Sequence, residues 1–472
     1  MKKLLLTALL AIASSTVAWS LTTDGQTYEP VNDIKIVNQW ILDRVHTQAE
    51  YLDSPINNTN CRTATLLNGI IYVGHSGFGQ AYVDGDTVPI STAVLHRFSV
   101  ADGTQLPDLE LTYDGLPYGG LLAVTSIGHD DFGHLWVAPV TSTSVETVPV
   151  YIVNVETGEL TLVNRMPKGN DMQRTDYLDV MGDLTLEEAE CNVMTVANSS
   201  NEPGFPTVYR WHADQGSDSW EGGFEGDTYI FITSFFPDYN TGFSLAPIVK
   251  MMHGIDEDTY YSGEWFYIDA HNAAPVVYDV SGYIMDNFEL VDEDLKPLDS
   301  PNGCNEFTLD GRHFFVYAMA DMHGDNSFCQ ANICELGGGD DATFEGMTKY
   351  WQIPADGLGN INDGGLRVHC FDVEKSIEDG EEVITLLTFK SYNGMAVYKI
   401  GKNVGQDNPQ PNYPTGDVDG SGIVDVEDVN AAINIILKLK TAADYPGNAD
   451  LDGSGIIDVE DVNAMINIIL KL

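Results

Sequence analysis

The sequence predicts a mainly β protein that ends in a small all-α unit. Short apolar or alternating runs bounded by Gly, Asp and Asn recur along most of the chain, which is typical of short antiparallel strands. Sustained helical periodicity appears only after a polar, proline-bearing segment at 403–415, which we interpret as a linker. With 472 residues and 43% hydrophobic content, the chain can build the cores of two or three domains.

The body, residues 28–402, contains seven apolar clusters, at 65–73, 135–140, 193–196, 229–235, 260–268, 313–319 and 384–389. Several other strands close on an acidic, a polar and a Gly residue, as at Gly103, Gly158 and Gly216. This pattern is common at blade edges of β-propellers. With blades of roughly 50 residues, we predict seven blades within a range of six to eight. A pair of β-sandwiches is the competing fold.

Two further features favour a closed ring of blades. The run at 34–42 predicts an N-terminal strand that completes the last blade beside strands from 384–400, which would remove exposed sheet edges. The segment from Asp130 to Val137, DDFGHLWV, resembles the D-x-x-G-x-L-W-V hairpin of several secreted propeller families.

The N-terminus has the pattern of a signal peptide. Lys2 and Lys3 precede an apolar stretch at 4–13, and small residues around Ala18 and Ser20 suit cleavage. We therefore expect residues 1–20 to be removed and the mature protein to be secreted. It would be extracellular or held at the cell surface by docking, without membrane insertion.

Charge restricts the partners of the chain. It carries 71 acidic and 22 basic side chains, a formal net charge of −49. Such a surface cannot neutralise the phosphates of nucleic acid or of anionic membranes. Neutral glycans, cationic ligands and metal ions remain open. Among six cysteines, the close spacing of Cys329 and Cys334 favours a disulfide, whereas the pairing of the other four is undetermined.

The C-terminal segment 416–472 contains a duplicated motif. Residues 417–439 and 450–472 differ at only three positions, and each copy begins with a twelve-residue loop, DVDGSGIVDVED or DLDGSGIIDVED. Oxygen-bearing residues at alternate positions suit Ca²⁺, which takes six to eight oxygen ligands, and Gly at position 6 permits the sharp turn. The predicted ligands of two calcium ions are Asp417, Asp419, Ser421, Ile423 through its carbonyl, Asp425 and Asp428, and Asp450, Asp452, Ser454, Ile456, Asp458 and Asp461.

This duplicated module resembles a type I dockerin, an EF-hand-like calcium module. The resemblance lies in Asp at position 12 of each loop and in the single helix after each loop, expected at 426–439 and 459–472. It implies a cohesin-type scaffold protein as partner. Specificity would involve Val426 and Glu427 with Val459 and Glu460, which depart from the small hydroxyl residues common there.

The body supports two functional hypotheses. One is a propeller that binds glycan or protein. The alternative is a polysaccharide-degrading enzyme, a glycoside hydrolase or polysaccharide lyase, to which dockerins are commonly fused. Catalytic residues remain unassigned because so many acids are present. Side chains with a possible role are His129, His134, His253, His271 and His323, with Trp211, Trp220, Trp265 and Trp351 as candidates for stacking on sugars or for packing.

Overall fold

A computed structural model describes most of the body and part of the C-terminal segment. The described residues are 21–77, 80–83, 86–89, 91–120, 122–141, 147–167, 174–197, 207–220, 229–231, 247–254, 260–270, 274–297, 302–320, 329–338, 342–361, 368–405, 416, 418, 424, 426–437, 449, 451, 457 and 459–470. The predicted signal peptide and most of the predicted linker lie outside them. The chain divides into two compact units between Val404 and Gly405.

The first unit is built almost entirely from β-strands. A short helix, α1 (Gln48–Asp53), follows the first strand, and a 3-10 helix spans Phe288–Leu290. The strands in the described residues are β1 (Lys35–Asp43), β2 (Cys61–Leu67), β3 (Ile70–His75), β4 (Gln80–Val83), β5 (Asp86–Pro89), β6 (Val94–Ser99), β7 (Gln105–Glu110), β8 (Thr112–Tyr113), β9 (Leu116–Pro117), β10 (Ser126–His129), β11 (Leu135–Ala138), β12 (Thr147–Val153), β13 (Glu159–Pro167), β14 (Thr175–Gly182), β15 (Cys191–Ala197), β16 (Thr207–Ala213), β17 (Tyr229–Phe231), β18 (Ile248–Met252), β19 (Trp265–Asp269), β20 (Val276–Asp279), β21 (Ile284–Asn287), β22 (Cys304–Leu309), β23 (Arg312–Ala320), β24 (Gln330–Gly337), β25 (Thr343–Ile353), β26 (His369–Glu378), β27 (Glu381–Lys390) and β28 (Gly394–Gly401).

The described strands form a six-bladed β-propeller. The blades, in chain order, are β2-β3-β6-β7, β10-β11-β12-β13, β14 to β17, β18 to β21, β22 to β25, and β26-β27-β28-β1; the short pair β8-β9 extends the second blade. The predicted number of seven is therefore wrong, and the six blades observed lie at the lower end of the predicted range of six to eight. The clusters at 193–196 and 229–235 belong to β15 and β17 of one blade, so the seven clusters occupy six sheets.

The first strand closes the ring, as predicted. β1 pairs antiparallel with β28, from Lys35 opposite Gly401 to Asp43 opposite Gly394. Trp40 on β1 is 2% exposed, and its indole N–H donates to the Val100 carbonyl of the first blade at 2.7 Å. The N-terminal strand thus completes the last blade and contacts the first, which closes the ring.

The first apolar cluster, at 65–73, is a hairpin and not one strand. Asn68 (φ 51°) and Gly69 (φ 73°) form the two-residue turn between β2 and β3. Positive φ at both central residues is the signature of a type I′ turn, which Asn-Gly adopts readily. The turn divides the apolar run into two strands, β2 and β3, of the same blade.

The cysteines do not form the predicted disulfide. All six are buried thiols, and none is part of a disulfide. Cys334 lies on β24 and Cys329 directly precedes this strand, so the five intervening steps of extended chain separate them by about 16 Å, well beyond disulfide reach. The two side chains also enter different apolar clusters.

The tryptophans described in the body serve mainly in packing. Trp211 and Trp351 are buried, and Trp220 packs against the cluster that contains Trp211. Trp265 is 45% exposed at the start of β19. Trp265 is the most exposed of these four, and Trp220 is half-buried.

The second unit, residues 405–472, contains two helices in its described residues, α2 (Val426–Ile436) and α3 (Val459–Leu470). They pack through Val429, Ala432, Val462 and Met465. The amphipathic pattern of the two helices predicts Val429, Ile433 and Ile436, with Val462, Ile466 and Ile469, as the packing face. Ile469 joins the core, but Ile433, Ile436 and Ile466 are each 37% exposed. Alanines occupy part of the contact face, and both faces of each helix carry apolar residues. The hydrophobic pattern alone therefore does not show which face is buried. No helix in the described residues is long and apolar enough to cross a membrane.

Candidate functional site

The innermost strands of the six blades surround a central cavity of about 290 Å³. These strands are β2, β10, β14, β18, β22 and β26. The cavity volume is close to the lower limit of ordinary ligand pockets. The acidic and basic side chains that line the cavity are His129, Asp131, Asp179, Lys250, His253, Glu306, His369 and Asp372.

Tyr177 crosses this cavity near the beginning of the inner strands. Its hydroxyl accepts a hydrogen bond from the backbone N–H of Val368 at 3.2 Å. This bond joins the third blade to the sixth, which lies opposite it among the six blades. The Tyr177 side chain is buried, and burial raises the pKa of its hydroxyl. Asp179, Lys250, Glu306 and Asp372 lie further along the inner strands, at what we call the polar end of the cavity.

Asp372 on β26 joins three blades at the polar end. Its Oδ2 accepts from the Leu66 N–H at 2.7 Å and from the Thr65 hydroxyl, both in the first blade. The same oxygen lies 3.6 Å from Nε2 of His129 in the second blade. Burial alone would raise the pKa of Asp372, but His129, Lys250 and Thr65 hold it at about 2. Asp372 is therefore an ionised carboxylate over the whole physiological range.

His129 is the cationic partner of Asp372. Burial alone would lower the pKa of the imidazole, but the Asp372 carboxylate outweighs burial and raises this pKa to about 9. The ring also lies 3.1 Å, at Nδ1, from the carbonyl oxygen of Asp130. The pair is an ion pair inside the cavity, with side-chain exposures of 29% for His129 and 16% for Asp372.

Lys250 and Asp179 form a second ion pair between the third and fourth blades. The Lys250 ammonium donates to Asp179 Oδ1 at 3.1 Å, and the backbone N–H of Met251 donates to Asp179 Oδ2 at 2.6 Å. Burial alone would lower the pKa of Lys250, but the carboxylates of Asp179, Asp372 and Asp131 raise it. Lys250 is thus a permanent cation among three carboxylates.

Glu306 on β22 differs from the aspartates. Burial raises the pKa of its carboxyl, and a hydrogen bond from the Tyr267 hydroxyl to Oε2 at 2.7 Å only partly opposes this shift. Among the described residues, no Lys, Arg or His forms an ion pair with Glu306, because His129, Lys250 and His253 pair with aspartates. Glu306 therefore keeps a proton to higher pH than an ordinary glutamate, in the same cavity as the ionised Asp372.

Asp131 and His253 occupy the rim between the second and fourth blades. His253 Nε2 lies 2.9 Å from Asp131 Oδ1, and the N–H of Gly182 donates to Asp131 Oδ2 at 2.7 Å. Burial alone would raise the pKa of Asp131, but the His253 contact lowers it overall. Hydrogen bonds therefore join the inner strands of the second, third and fourth blades at this rim.

The DDFGHLWV segment forms the hairpin between β10 and β11, and its first aspartate organises the turn. Asp130 is 1% exposed, and its Oδ1 accepts from the N–H groups of Phe132 and His134. Its Oδ2 lies 2.8 Å from His134 Nδ1, and Asp183 is a second neighbour of this ring at 3.5 Å. Backbone donors occupy both carboxylates, so this Asp–His–Asp group has a structural role in the turn.

The structure separates the histidines that the sequence singled out. His129 and His253 line the cavity, whereas His134 stabilises a turn. His271 and His323 lie outside the described residues. Sequence reasoning missed Asp179, Lys250, Glu306 and Asp372. Their common signal is a single charged residue inside an apolar inner strand, as in YLDVM, IVKMM, CNEF and HCFDV.

Most of the predicted calcium ligands lie outside the described residues: Asp417, Asp419, Ser421, Ile423, Asp425, Asp450, Asp452, Ser454, Ile456 and Asp458. The two that are described, Asp428 and Asp461, are fully buried in the first turns of α2 and α3. Asp428 Oδ1 accepts from the Val418 N–H at 2.7 Å, and Asp461 Oδ1 accepts from the Leu451 N–H at 2.7 Å. Position 12 of each loop is thereby tied to position 2, which fits a carboxylate that closes a metal shell.

No family model matches the chain, and no curated protein matches it. Among solved structures, it is similar to a DUF4623 family protein from Bacteroides eggerthii, at 12% identity and a TM-score of 0.49, over 80% of this chain and 77% of that one. A protein of unknown function from Dyadobacter fermentans gives 10% identity and a TM-score of 0.42, over 79% and 100%. An endo-arabinase from Bacteroides thetaiotaomicron gives 11% and 0.33, over 59% and 93%. At these values the likeness concerns the fold alone.

Proposed function

We propose that the protein is a secreted glycoside hydrolase that acts on a neutral glycan in the central cavity and is docked through its C-terminal unit. The observation that carries the proposal is the contrast between Glu306 and Asp372. Both line one cavity, yet the pKa of Glu306 is raised and that of Asp372 is held at about 2. Carboxyl groups whose pKa values are driven apart in one site suit an acid and an ionised partner.

Glycoside hydrolysis needs these two forms of a carboxyl group together. Glu306, in its protonated form, donates its proton to the glycosidic oxygen as the carbon–oxygen bond breaks. The Asp372 carboxylate faces the positive charge that develops on the sugar ring. Water supplies the hydroxyl group of the new reducing end and returns a proton to Glu306, so the enzyme is unchanged after each turnover.

Charge favours a neutral glycan over an acidic one. The chain has a net charge of −49, which repels polyanions. Inside the cavity, Lys250 and His129 are already paired with Asp179 and Asp372, so no cation is reserved for a substrate carboxylate. Polar groups fixed in this way suit the hydroxyl groups of a neutral sugar.

Release of new reducing ends tests the proposal. The full-length protein is incubated with neutral polysaccharides such as xylan, arabinan, mannan and cellulose. We expect new ends from at least one of them and a loss of turnover of at least about 100-fold in Glu306→Gln. Glu345→Gln, an exposed glutamate on β25 of the same blade, is the matched control and should retain full activity. Equal turnover in Glu306→Gln and the wild type would reject this assignment.

A non-catalytic glycan-binding propeller is the second candidate. It is favoured by the hydrogen bonds that Asp131, Asp179 and Asp372 each accept from backbone N–H groups, because carboxylates held in this way are weak bases. Under this alternative, the polysaccharide would be retained by the protein without release of new ends. Affinity electrophoresis in gels that contain each polysaccharide, run beside the reducing-end assay, separates the two candidates.

We also propose that the C-terminal unit binds two calcium ions and docks to a cohesin-type scaffold. Support comes from the near-identical loops and from the buried position-12 carboxylates Asp428 and Asp461. The helices begin where the resemblance to dockerins places them. A pull-down of cohesin-bearing proteins by the full-length chain, with calcium and with a chelator, tests the docking. Capture that is independent of calcium would contradict it.

A further inference from the structure

Four aromatic side chains form a connected cluster beside the polar end of the cavity, which we call the aromatic platform: Phe132, His253, Tyr260 and Tyr261. The ring centroids are 4.5 Å apart for His253 and Tyr260, 5.0 Å for Tyr260 and Tyr261, and 5.8 Å for Phe132 and Tyr261. The His253 and Tyr260 planes are tilted by only 33°, whereas Tyr260 and Tyr261 are nearly perpendicular.

The platform is open to solvent, which distinguishes it from the packed aromatics of the blades. Tyr260 is 43% exposed and Phe132 is 38% exposed, whereas Trp211, Phe266 and Phe314 are fully buried. The His253 side chain is 37% exposed. Aromatic rings that only filled space between blades would be covered by neighbours.

Hydrogen bonds fix the backbone segments that carry the platform residues. The N–H of Gly254 donates to the Tyr260 carbonyl at 3.0 Å, and the buried Asn192 donates from Nδ2 to the Tyr261 carbonyl at 2.7 Å. On the other side, the N–H of Phe132 donates to Asp130 Oδ1 at 3.0 Å. The exposed rings are thus supported by fixed backbone, as a preorganised binding surface requires.

The platform is continuous with the cavity. His253 lines the cavity and is also a member of the platform, and Asp131, which directly precedes Phe132, lines the cavity and contacts His253 at 2.9 Å. A ligand that fills the cavity and extends past this rim therefore reaches Tyr260 and Tyr261 next.

An aromatic face accepts either the C–H face of a sugar or a cation. Among the described residues, Asp131 contributes the carboxylate that contacts a platform ring, and His253 and Gly182 already occupy its two oxygens. A cation would have to displace His253 to use it, whereas a neutral sugar would not. The geometry points to a neutral sugar residue.

We propose that the aromatic platform is a second sugar subsite, so that the ligand of the cavity is an oligosaccharide or polysaccharide chain and not a single sugar. This inference rests on the proposed function in taking the ligand to be a neutral glycan. One sugar unit lies in the cavity, and the next lies against Tyr260 with its polar edge toward the Asp131–His253 pair.

Calorimetric titration of the full-length protein tests the subsite. The Glu306→Gln variant serves as background, so that binding is measured without turnover. The probes are xylose and xylotetraose, glucose and cellotetraose, and mannose and mannotetraose. We expect one tetraose to bind at least about tenfold more tightly than its monosaccharide. Tyr260→Ala should weaken the binding of that tetraose about tenfold and leave the monosaccharide affinity within about twofold.

Tyr283→Ala is the matched control, because Tyr283 is a 62% exposed tyrosine in the turn between β20 and β21 of the same blade and outside the platform. It should bind the tetraose as the background protein does. Equal tetraose affinity in the Tyr260→Ala and Tyr283→Ala variants would overturn the subsite. Tetramethylammonium binding that is lost in Tyr260→Ala, with no sugar bound, would also overturn it in favour of a cation site.

The results separate this inference from hydrolysis. Tetraose binding that depends on Tyr260, without new reducing ends from the wild type, would reject hydrolysis and support the subsite. New ends released from the tetraose equally fast by the wild type and by Tyr260→Ala, with unchanged binding, would support hydrolysis and reject the subsite.

Discussion

The propeller and the C-terminal unit are stabilised in different ways. Five extensive apolar clusters fill the described part of the propeller, and β1 closes its ring. The buried core described in the C-terminal unit consists of seven residues: Val418, Val429, Ala431, Ala432, Ala449, Val462 and Met465. Apolar burial suffices for the first unit, whereas a unit with so small a core needs another source of stability.

Charge is arranged just as differently in the two units. In the propeller cavity, Asp372 and Asp179 each have a cationic partner, His129 or Lys250. Residues 416–472 contain eleven acidic residues and three lysines, and no lysine lies within either loop. The propeller thus neutralises these two cavity carboxylates with its own side chains. The C-terminal unit lacks such partners within its loops, which is the situation in which a divalent cation stabilises the native state.

Calcium removal should have the largest effect and should act on only one of the two units. Excess chelator should abolish the helical circular dichroism of the C-terminal unit, because the loop carboxylates then repel one another. The strand signal and the melting transition of the propeller should persist. Asp417→Ala combined with Asp450→Ala should reproduce the loss in the presence of calcium. Asp444→Ala, outside both loops, is the control, and helicity unchanged by chelation would reject metal-dependent folding.

Breaking the ring closure should affect only the propeller. Trp40→Ala removes a large buried side chain from β1 together with its bond to Val100, and should lower the free energy of unfolding by about 3–5 kcal/mol. Calorimetry should show a lower melting temperature for the propeller. Trp265→Ala, at a 45% exposed position, should cost less than about 1 kcal/mol. Similar losses in both variants would mean that β1 has no special role.

Sequence reasoning predicted the local structure of both units better than their tertiary structure. It placed the ring-closing strand at 34–42 and the helix starts at Val426 and Val459, because alternation, periodicity and loop spacing are local signals. It miscounted the blades, since nothing in 193–196 or 229–235 shows that these runs share a sheet. Strand pairing depends on contacts distant in sequence.

The candidate site was hidden for a related reason. Asp179, Lys250, Glu306 and Asp372 come from four different blades, and their proximity exists only in the closed ring. A lone charged residue in an apolar strand was a usable signal, but it does not show which strand of a blade is innermost. The calcium loops, by contrast, hold all the predicted ligands of one ion within twelve consecutive residues.

The Asp372–His129 pair should stabilise the propeller in a defined range of pH. Because the His129 pKa is raised, protonated His129 stabilises the fold fully below about pH 6.5, and this stabilisation is lost as the pH rises through about 9. Because the Asp372 pKa is lowered, ionised Asp372 stabilises the fold above about pH 3.9, and this stabilisation is lost as the pH falls through about 2. His129→Gln should therefore destabilise the propeller most between about pH 4 and 6.5, by on the order of 2 kcal/mol.

Denaturant unfolding at pH 5.5 and pH 10 measures this difference. The wild type and His129→Gln should differ at pH 5.5 and converge at pH 10. His212→Gln is the control, since its nearer partner Asp214 is 80% exposed and its second partner Glu190 lies 3.7 Å away at a partly exposed position, and such pairs contribute little. A deficit in His129→Gln that is the same at both pH values would show that the imidazole acts through packing and not through charge.

The smallest expected effect concerns the outer faces of α2 and α3. Ile433 and Ile466 occupy equivalent positions in the two copies and are each 37% exposed, so replacing either with Ser should change the calcium-loaded free energy of unfolding by no more than about 0.5 kcal/mol. Met465→Ala, at a fully buried position in the core between α2 and α3, should cost about 2 kcal/mol or more. Thermal melts in saturating calcium compare the three variants. A loss in the isoleucine variants as large as that in Met465→Ala would mean that these side chains belong to the core. Small losses would leave two matched apolar patches outside the core, and the C-terminal unit would then be stabilised by metal and a few alanine-sized contacts.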